Sequence, residues 1–319
     1  MSAYAAPWWL PGGHLQTVFA TLRPPPRPEL SRERWATPDG DFVDVDFCGP
    51  RTGRLLVLFH GLEGGSDSHY ARALAAQGSA AGWRVAIPHW RGCSGEPNKL
   101  PRAYHSGDSD EADWLLNKFS SQGKIVCAVG VSLGGNVLLK WLGERGEAAR
   151  AIVRRAVAVS APIDVAAAGE ALDRGLNRLL YTRMFLATLK PKSLAKLEVF
   201  PGLYDGERLR AARTFREFDE LVTAPLHGFR GTDDYWAKAS SAPLLKRIRV
   251  PTLLVNARND PFLPEEALLA ATRKAAACVV LEFPRSGGHA GFLTGPFPGR
   301  HEWLPRRILD FLQADSPSA

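Results

Sequence analysis

The sequence has few cysteines, no long hydrophobic run and no metal-binding pattern. Four cysteines occur among 319 residues, with no C-x-x-C pair, which excludes a disulfide framework and a cysteine-rich zinc site. No stretch approaches the ~18 uninterrupted apolar residues of a transmembrane helix. No H-E-x-x-H or similar ligand spacing occurs, so we expect no metal and no other cofactor. Residues 1–10 lack a basic residue, which disfavours a signal peptide and, with unpaired cysteines, predicts a cytoplasmic protein.

The positive charge is spread along the chain. The net charge is 40 − 33 = +7, and no run of five basic residues occurs. The densest stretch, with Arg208, Arg210, Arg213 and Arg216, has near-helical spacing and is typical of a solvated helix face. No nucleic-acid-binding motif is present, so we expect no nucleic-acid partner.

Strand and helix patterns alternate along most of the chain. Short apolar runs predict strands at 41–47, 55–59, 83–87, 125–129, 153–159, 250–256 and 278–283. Helices are predicted between them at 69–81, 106–119, 133–143, 265–276 and 302–312, the second with Asp108 and Glu111 as a capping box. This alternation predicts an α/β fold with a mostly parallel central sheet flanked by helices.

Two segments interrupt the alternation. Residues 1–30 contain Pro24, Pro25, Pro26 and Pro28 and predict an irregular N-terminal arm. Residues 162–236 are arginine-rich and helical in pattern. We therefore predict a core made of 31–161 and 237–319, with 162–236 inserted as a helical lid.

A serine between two glycines is the first catalytic candidate. Ser132 lies in Gly130-x-Ser132-x-Gly134, directly after a predicted buried strand and before a helix. This is the context of a nucleophile elbow, a strained turn that raises the serine hydroxyl above the sheet edge. A hydroxyl needs a base to take its proton. His289, in a glycine-rich loop after the last predicted strand, is the preferred base.

The histidine needs a carboxylate partner, and the tetrahedral intermediate needs hydrogen-bond donors. Asp260 ends the preceding strand and is the preferred acid, with Asp164 as the alternative. The backbone amides of Leu62 and Leu133 are the predicted oxyanion donors. The glycine-rich loop that holds Leu62 lacks the G-K-[ST] ending of a phosphate-binding P-loop.

Other polar residues receive lesser roles. Ser94 also lies among glycines but lacks the G-x-S-x-G spacing, so we interpret it as a turn residue. His14, His105 and His227 are expected to be structural or to support the site.

The chain resembles the α/β-hydrolase superfamily and, within it, the YheT-like esterases, a group that includes eukaryotic abhydrolase-domain lipases. The order Ser132, Asp260, His289 is the order of that superfamily. The matching segments span most of the chain: 13–17 (GHLQT), 60–64 (HGLEG), 91–96 (RGCSGE), 104–107 (YHSG), 130–136 (GVSLGGN), 223–229 (TAPLHGF), 256–261 (NARNDP) and 288–289 (GH). The resemblance implies a serine carboxylic-ester hydrolase with these three residues as its triad.

The apolar residues of the insertion suggest the substrate class. Phe185, Leu186 and Trp236 are predicted to line an acyl pocket, together with Leu189 and Phe215. Short- to medium-chain acyl esters are the expected substrates, and a lipid ester would involve transient membrane contact. Two alternatives stay open: an alcohol acyltransferase that uses the same acyl-enzyme, and a non-catalytic basic binding protein.

Overall fold

The computed structural model describes residues 4–123 and 125–314. Within them, eight strands form one sheet: β1 (Ser31–Ala36), β2 (Phe42–Cys48), β3 (Arg54–Phe59), β4 (Trp83–Pro88), β5 (Val126–Val131), β6 (Val153–Val159), β7 (Thr252–Val255) and β8 (Val279–Glu282). The spatial order is β1-β2-β4-β3-β5-β6-β7-β8. The β1–β2 and β2–β4 pairs are antiparallel and the rest are parallel, which confirms the predicted mostly parallel sheet.

The helices fall into two groups. Those of the core are α1 (Gly13–Leu22), α2 (His69–Ala80), α3 (Ser109–Ser120), α4 (Leu133–Arg145), α12 (Glu265–Thr272) and α13 (Trp303–Gln313). Those between β6 and β7 are α5 (Val165–Leu172), α6 (Gly175–Asn177), α7 (Arg183–Val199), α8 (Gly206–Ala211), α9 (Phe215–Phe218), α10 (Ala224–Leu226) and α11 (Thr232–Ala239). The segment 162–236 was predicted to be helical, and the structure forms helices there.

The central strands are buried on both faces. In β3, Leu55, Val57 and Phe59 belong to the core layer under α3 and α4, while Leu56 and Leu58 belong to the layer under α2 and α13. A strand covered on both faces needs apolar residues at every position, because successive side chains point to opposite faces. This explains why the strand appears in the sequence as a continuous apolar run.

The N-terminal arm contains a helix, which corrects the prediction of an irregular segment. The prolines at 24–28 restrict their own positions and the residue before them, whereas Gly13–Leu22 contains no proline and forms α1. Its buried residues Gln16, Thr17 and Ala20 face the protein. Tertiary contacts of these residues, two of them polar, stabilise a helix that an apolar pattern does not reveal.

Two further details differ from the predictions. Strand β1 was not expected, because five of its six residues are exposed; it is an edge strand whose Arg32 and Arg34 pair with the buried carboxylates of β2. The prediction of a capping box at the start of α3 is wrong. Asp108 occupies the position before the helix without a capping hydrogen bond, because its carboxylate pairs with Arg102, and that of Glu111 pairs with Arg91.

Candidate active site

Ser132 occupies the turn between β5 and α4. Its backbone has φ 55° and ψ −124°, a strained conformation for a residue other than glycine. A Cβ at Gly130 would lie 2.3 Å from the carbonyl oxygen of Gly134, and a Cβ at Gly134 would lie 2.3 Å from that of Phe59. Both glycines are therefore required for β3, β5 and α4 to approach this closely, which is the physical reason for the G-x-S-x-G spacing.

Three predicted residues form one chain of hydrogen bonds. The Ser132 hydroxyl lies 2.9 Å from His289 Nε2, and His289 Nδ1 lies 2.9 Å from Asp260 Oδ2 and 3.2 Å from Oδ1. An ionised carboxylate only accepts, so Nδ1 carries the proton and Nε2 is free to accept the serine proton. The Asp260 side chain is fully buried and also accepts from the Phe262 amide at 2.9 Å. The Phe262 ring stacks on His289 at 4.0 Å.

The loops that carry His289 and Asp260 are held by α1. Thr17 Oγ1 accepts from the His289 amide at 2.8 Å and donates to the Gly13 carbonyl at 2.7 Å. Gln16 Oε1 accepts from the Gly287 amide at 2.8 Å and from the Asn259 side chain at 3.0 Å. Sequence reasoning did not find these positioning residues. The only available signal was the matching segment at 13–17, which carried no stated role.

The two predicted oxyanion donors are free to bind a ligand. The amides on either side of Leu62 are occupied, because that of Gly61 donates to Tyr70 Oη at 2.9 Å and that of Glu63 to Tyr104 Oη at 2.8 Å. For Leu62 and Leu133 the described residues provide no amide acceptor. Leu133 begins α4, whose N-terminal amides favour negative charge. Such a pair of donors is suited to a developing oxyanion.

A cavity of about 90 Å³ opens beside the serine. Its wall includes Ser132, His289, Phe185 and Trp236, so two of the three predicted pocket residues reach it. The prediction for Leu186 is wrong. Successive helical residues point about 100° apart, and Leu186 packs inside the insertion instead, against Leu209, Phe218 and Val222. Phe215 also lines the cavity, whereas Leu189 does not.

A buried carboxyl group lies in the same wall. Asp219 accepts from Trp236 Nε1 at 2.8 Å and from Thr223 Oγ1 at 2.6 Å. Its burial raises the pKa of Asp219 to about 6, because desolvation penalises the charged form. No sequence signal pointed to this residue, since an aspartate in a helical segment is usually solvated.

Asp164, Ser94 and His14 have contacts outside the hydrogen-bonded chain of Ser132, His289 and Asp260. Asp164 caps α5, where its side chain accepts from the Ala167 amide at 3.0 Å. The carbonyl of Ser94 accepts from Arg32. His14 lies 3.1 Å from Tyr181 Oη.

The other two histidines that were expected to support the site contact each other. His105 and His227 pack with ring centroids 4.4 Å apart, and burial lowers the pKa of His227 to about 4.

Residues 4–123 and 125–314 contain no group of three or more His, Cys, Asp or Glu arranged to hold a metal ion. In the same ranges, no helix has the length and apolar character needed to cross a membrane.

Comparisons with known proteins agree with the fold described above. A family model described as alpha/beta hydrolase fold matches residues 54–296. The chain is 37% identical to the protein named "Putative esterase YheT" from Escherichia coli (strain K12), over 94% of this chain and 89% of that protein. It is 30% identical to "Phospholipase ABHD3" from Mus musculus, over 96% of this chain and 76% of that protein.

Solved structures share the fold. An esterase from Exiguobacterium antarcticum superimposes with a TM-score of 0.58 at 16% identity, covering 89% of this chain and 100% of that one. The central sheet and its flanking helices are thus shared with proteins of very different sequence.

Proposed function

This chain belongs to the alpha/beta hydrolase fold family, and we propose that it is a serine carboxylic-ester hydrolase with Ser132, His289 and Asp260 as its triad. The observation that carries the proposal is the hydrogen-bond chain from the serine hydroxyl through the imidazole to the buried carboxylate. The names of its relatives, an esterase and a phospholipase, support ester hydrolysis as the reaction class.

The proposed reaction has two steps. His289 Nε2 takes the proton of Ser132 as Oγ attacks the ester carbonyl, and Asp260 stabilises the imidazolium. The amides of Leu62 and Leu133 bind the oxyanion, and His289 then protonates the leaving alcohol. In the second step, the same histidine activates a water molecule that releases the acid from Ser132.

The size of the cavity favours a short acyl group. A volume of about 90 Å³ is small beside the roughly 300–1,000 Å³ of pockets that bury a drug-sized ligand. Residues 162–236 would act as a lid, because Phe185, Phe215 and Trp236 contribute to the wall. Medium-length chains require movement of these side chains.

Fluorophosphonate labelling followed by peptide mass mapping tests the proposal, because the reagent needs an activated serine. We expect an adduct on Ser132 in the wild type and none in Ser132→Ala or His289→Ala. As a matched control, Ser94→Ala should label normally. An adduct on another serine, or labelling that persists without His289, would contradict the assignment.

A further inference from the structure

The outward side of the insertion exposes a row of apolar side chains. Helices α6 and α7 are joined by a π-helical turn, Arg178–Thr182, into one helical segment. On it, Leu176, Leu179, Leu180 and Met184 are between 43% and 62% exposed. These four side chains contact solvent and not the interior of the insertion. A contiguous patch of exposed apolar side chains on a folded protein commonly marks an interaction surface.

Two arginines lie among these apolar residues. Arg178 and Arg183 are exposed, and no acidic partner for either occurs within the described residues. Three other exposed arginines of the insertion are paired: Arg174 with Glu170, Arg210 with Glu207 and Arg216 with Asp233. We call Leu176, Arg178, Leu179, Leu180, Arg183 and Met184 the outer face.

The inner side of the same helical segment reaches the candidate active site. Phe185 lines the cavity beside Ser132. The Tyr181 ring packs edge-on against Phe262 at 4.6 Å, and Phe262 stacks on His289. One helix therefore separates the outer face from the acyl cavity.

We propose that the outer face docks on an anionic lipid bilayer. A helix with apolar residues and unpaired arginines on one side can lie in the membrane interface, with its apolar side chains among the acyl chains and its guanidinium groups on the lipid phosphates. The proposal concerns binding and is independent of Ser132.

The charge pattern favours a bilayer over a second copy of this chain. A two-fold symmetric interface buries the same patch of both partners. It would place four arginines in one apolar contact, and the outer face supplies no carboxylate to pair them. An anionic bilayer supplies the opposite charge, and docking there would bring the cavity close to lipid esters.

Co-sedimentation with vesicles tests the proposal. Full-length Ser132→Ala protein is mixed with vesicles of phosphatidylglycerol and phosphatidylcholine, or of phosphatidylcholine alone, at low and high salt. We expect binding to the anionic vesicles that weakens with salt. Arg178→Gln with Arg183→Gln should weaken it ~30-fold, at roughly one factor of five per charge, and Leu179→Ser with Met184→Ser at least ~10-fold.

Matched variants on the same insertion serve as controls. Arg208 and Arg213 are also exposed, and no ion pair is found for them in residues 4–123 and 125–314; changing both to Gln should leave vesicle binding unchanged. If this control variant loses as much vesicle binding as the Arg178 and Arg183 variant, net charge alone explains the effect and the proposal is overturned. The proposal is also overturned if the protein does not bind vesicles. It is overturned as well if the wild type is a dimer and the change of Leu179→Ser with Met184→Ser dissociates that dimer. Hydrolysis of a water-soluble ester by Ser132-containing protein measures the proposed function separately, and should be equal in all these variants.

Discussion

Replacing Thr17 with valine tests whether α1 positions the catalytic histidine. Valine keeps the shape of threonine but removes the acceptor of the His289 amide, 2.8 Å away, and the donor to Gly13. A buried amide without a partner costs about 1–3 kcal/mol. If the loop shifts to relieve this cost, the 2.9 Å contact between His289 and Ser132 lengthens, and a displacement of ~1 Å costs about 100-fold in rate.

We therefore expect Thr17→Val to lower kcat for a water-soluble ester by about 10–100-fold with little change in KM. Thr17→Ser, which retains the hydroxyl, should restore most of the activity. Thr21→Val is a matched control, because Thr21 donates only to the Thr17 carbonyl and should keep full activity. Steady-state kinetics and thermal unfolding are measured on all three variants. A valine variant that loses stability but keeps kcat would refute the positioning role.

Three other changes have defined outcomes. Gly134→Ala should abolish activity and lower the melting temperature, because its Cβ would meet the Phe59 carbonyl at 2.3 Å; activity and thermal melts check this. Asp219→Asn should stabilise the protein above pH 6 by up to about 3 kcal/mol. The folded pKa of Asp219, about 6, exceeds its ordinary value of 3.8, so stability falls as pH rises through 6; unfolding at pH 8 and pH 4 should show a gain only at pH 8. Phe185→Ala enlarges the cavity and should raise kcat/KM for longer acyl chains relative to acetate, as an ester series will show.

The amino-acid sequence alone predicted the fold class and three residues that the structure brings together in the candidate site. Continuous apolar runs identify strands buried on both faces, because no polar side chain is tolerated there. The glycines around Ser132 reflect a local backbone requirement, so they are visible as a short motif. Asp260 and His289 follow strands, and the carboxyl ends of parallel strands meet at one edge of a sheet.

Only the tertiary structure decided which side chains support that site. Thr17 of helix α1 lies 272 residues from His289 in sequence. Two of the three buried residues of α1 are polar, so no apolar pattern reveals the helix. Leu186 and Leu179 look alike in sequence, yet one packs inside the insertion and the other is exposed. The direction of a helical side chain depends on what the helix packs against, which is a property of the assembled fold.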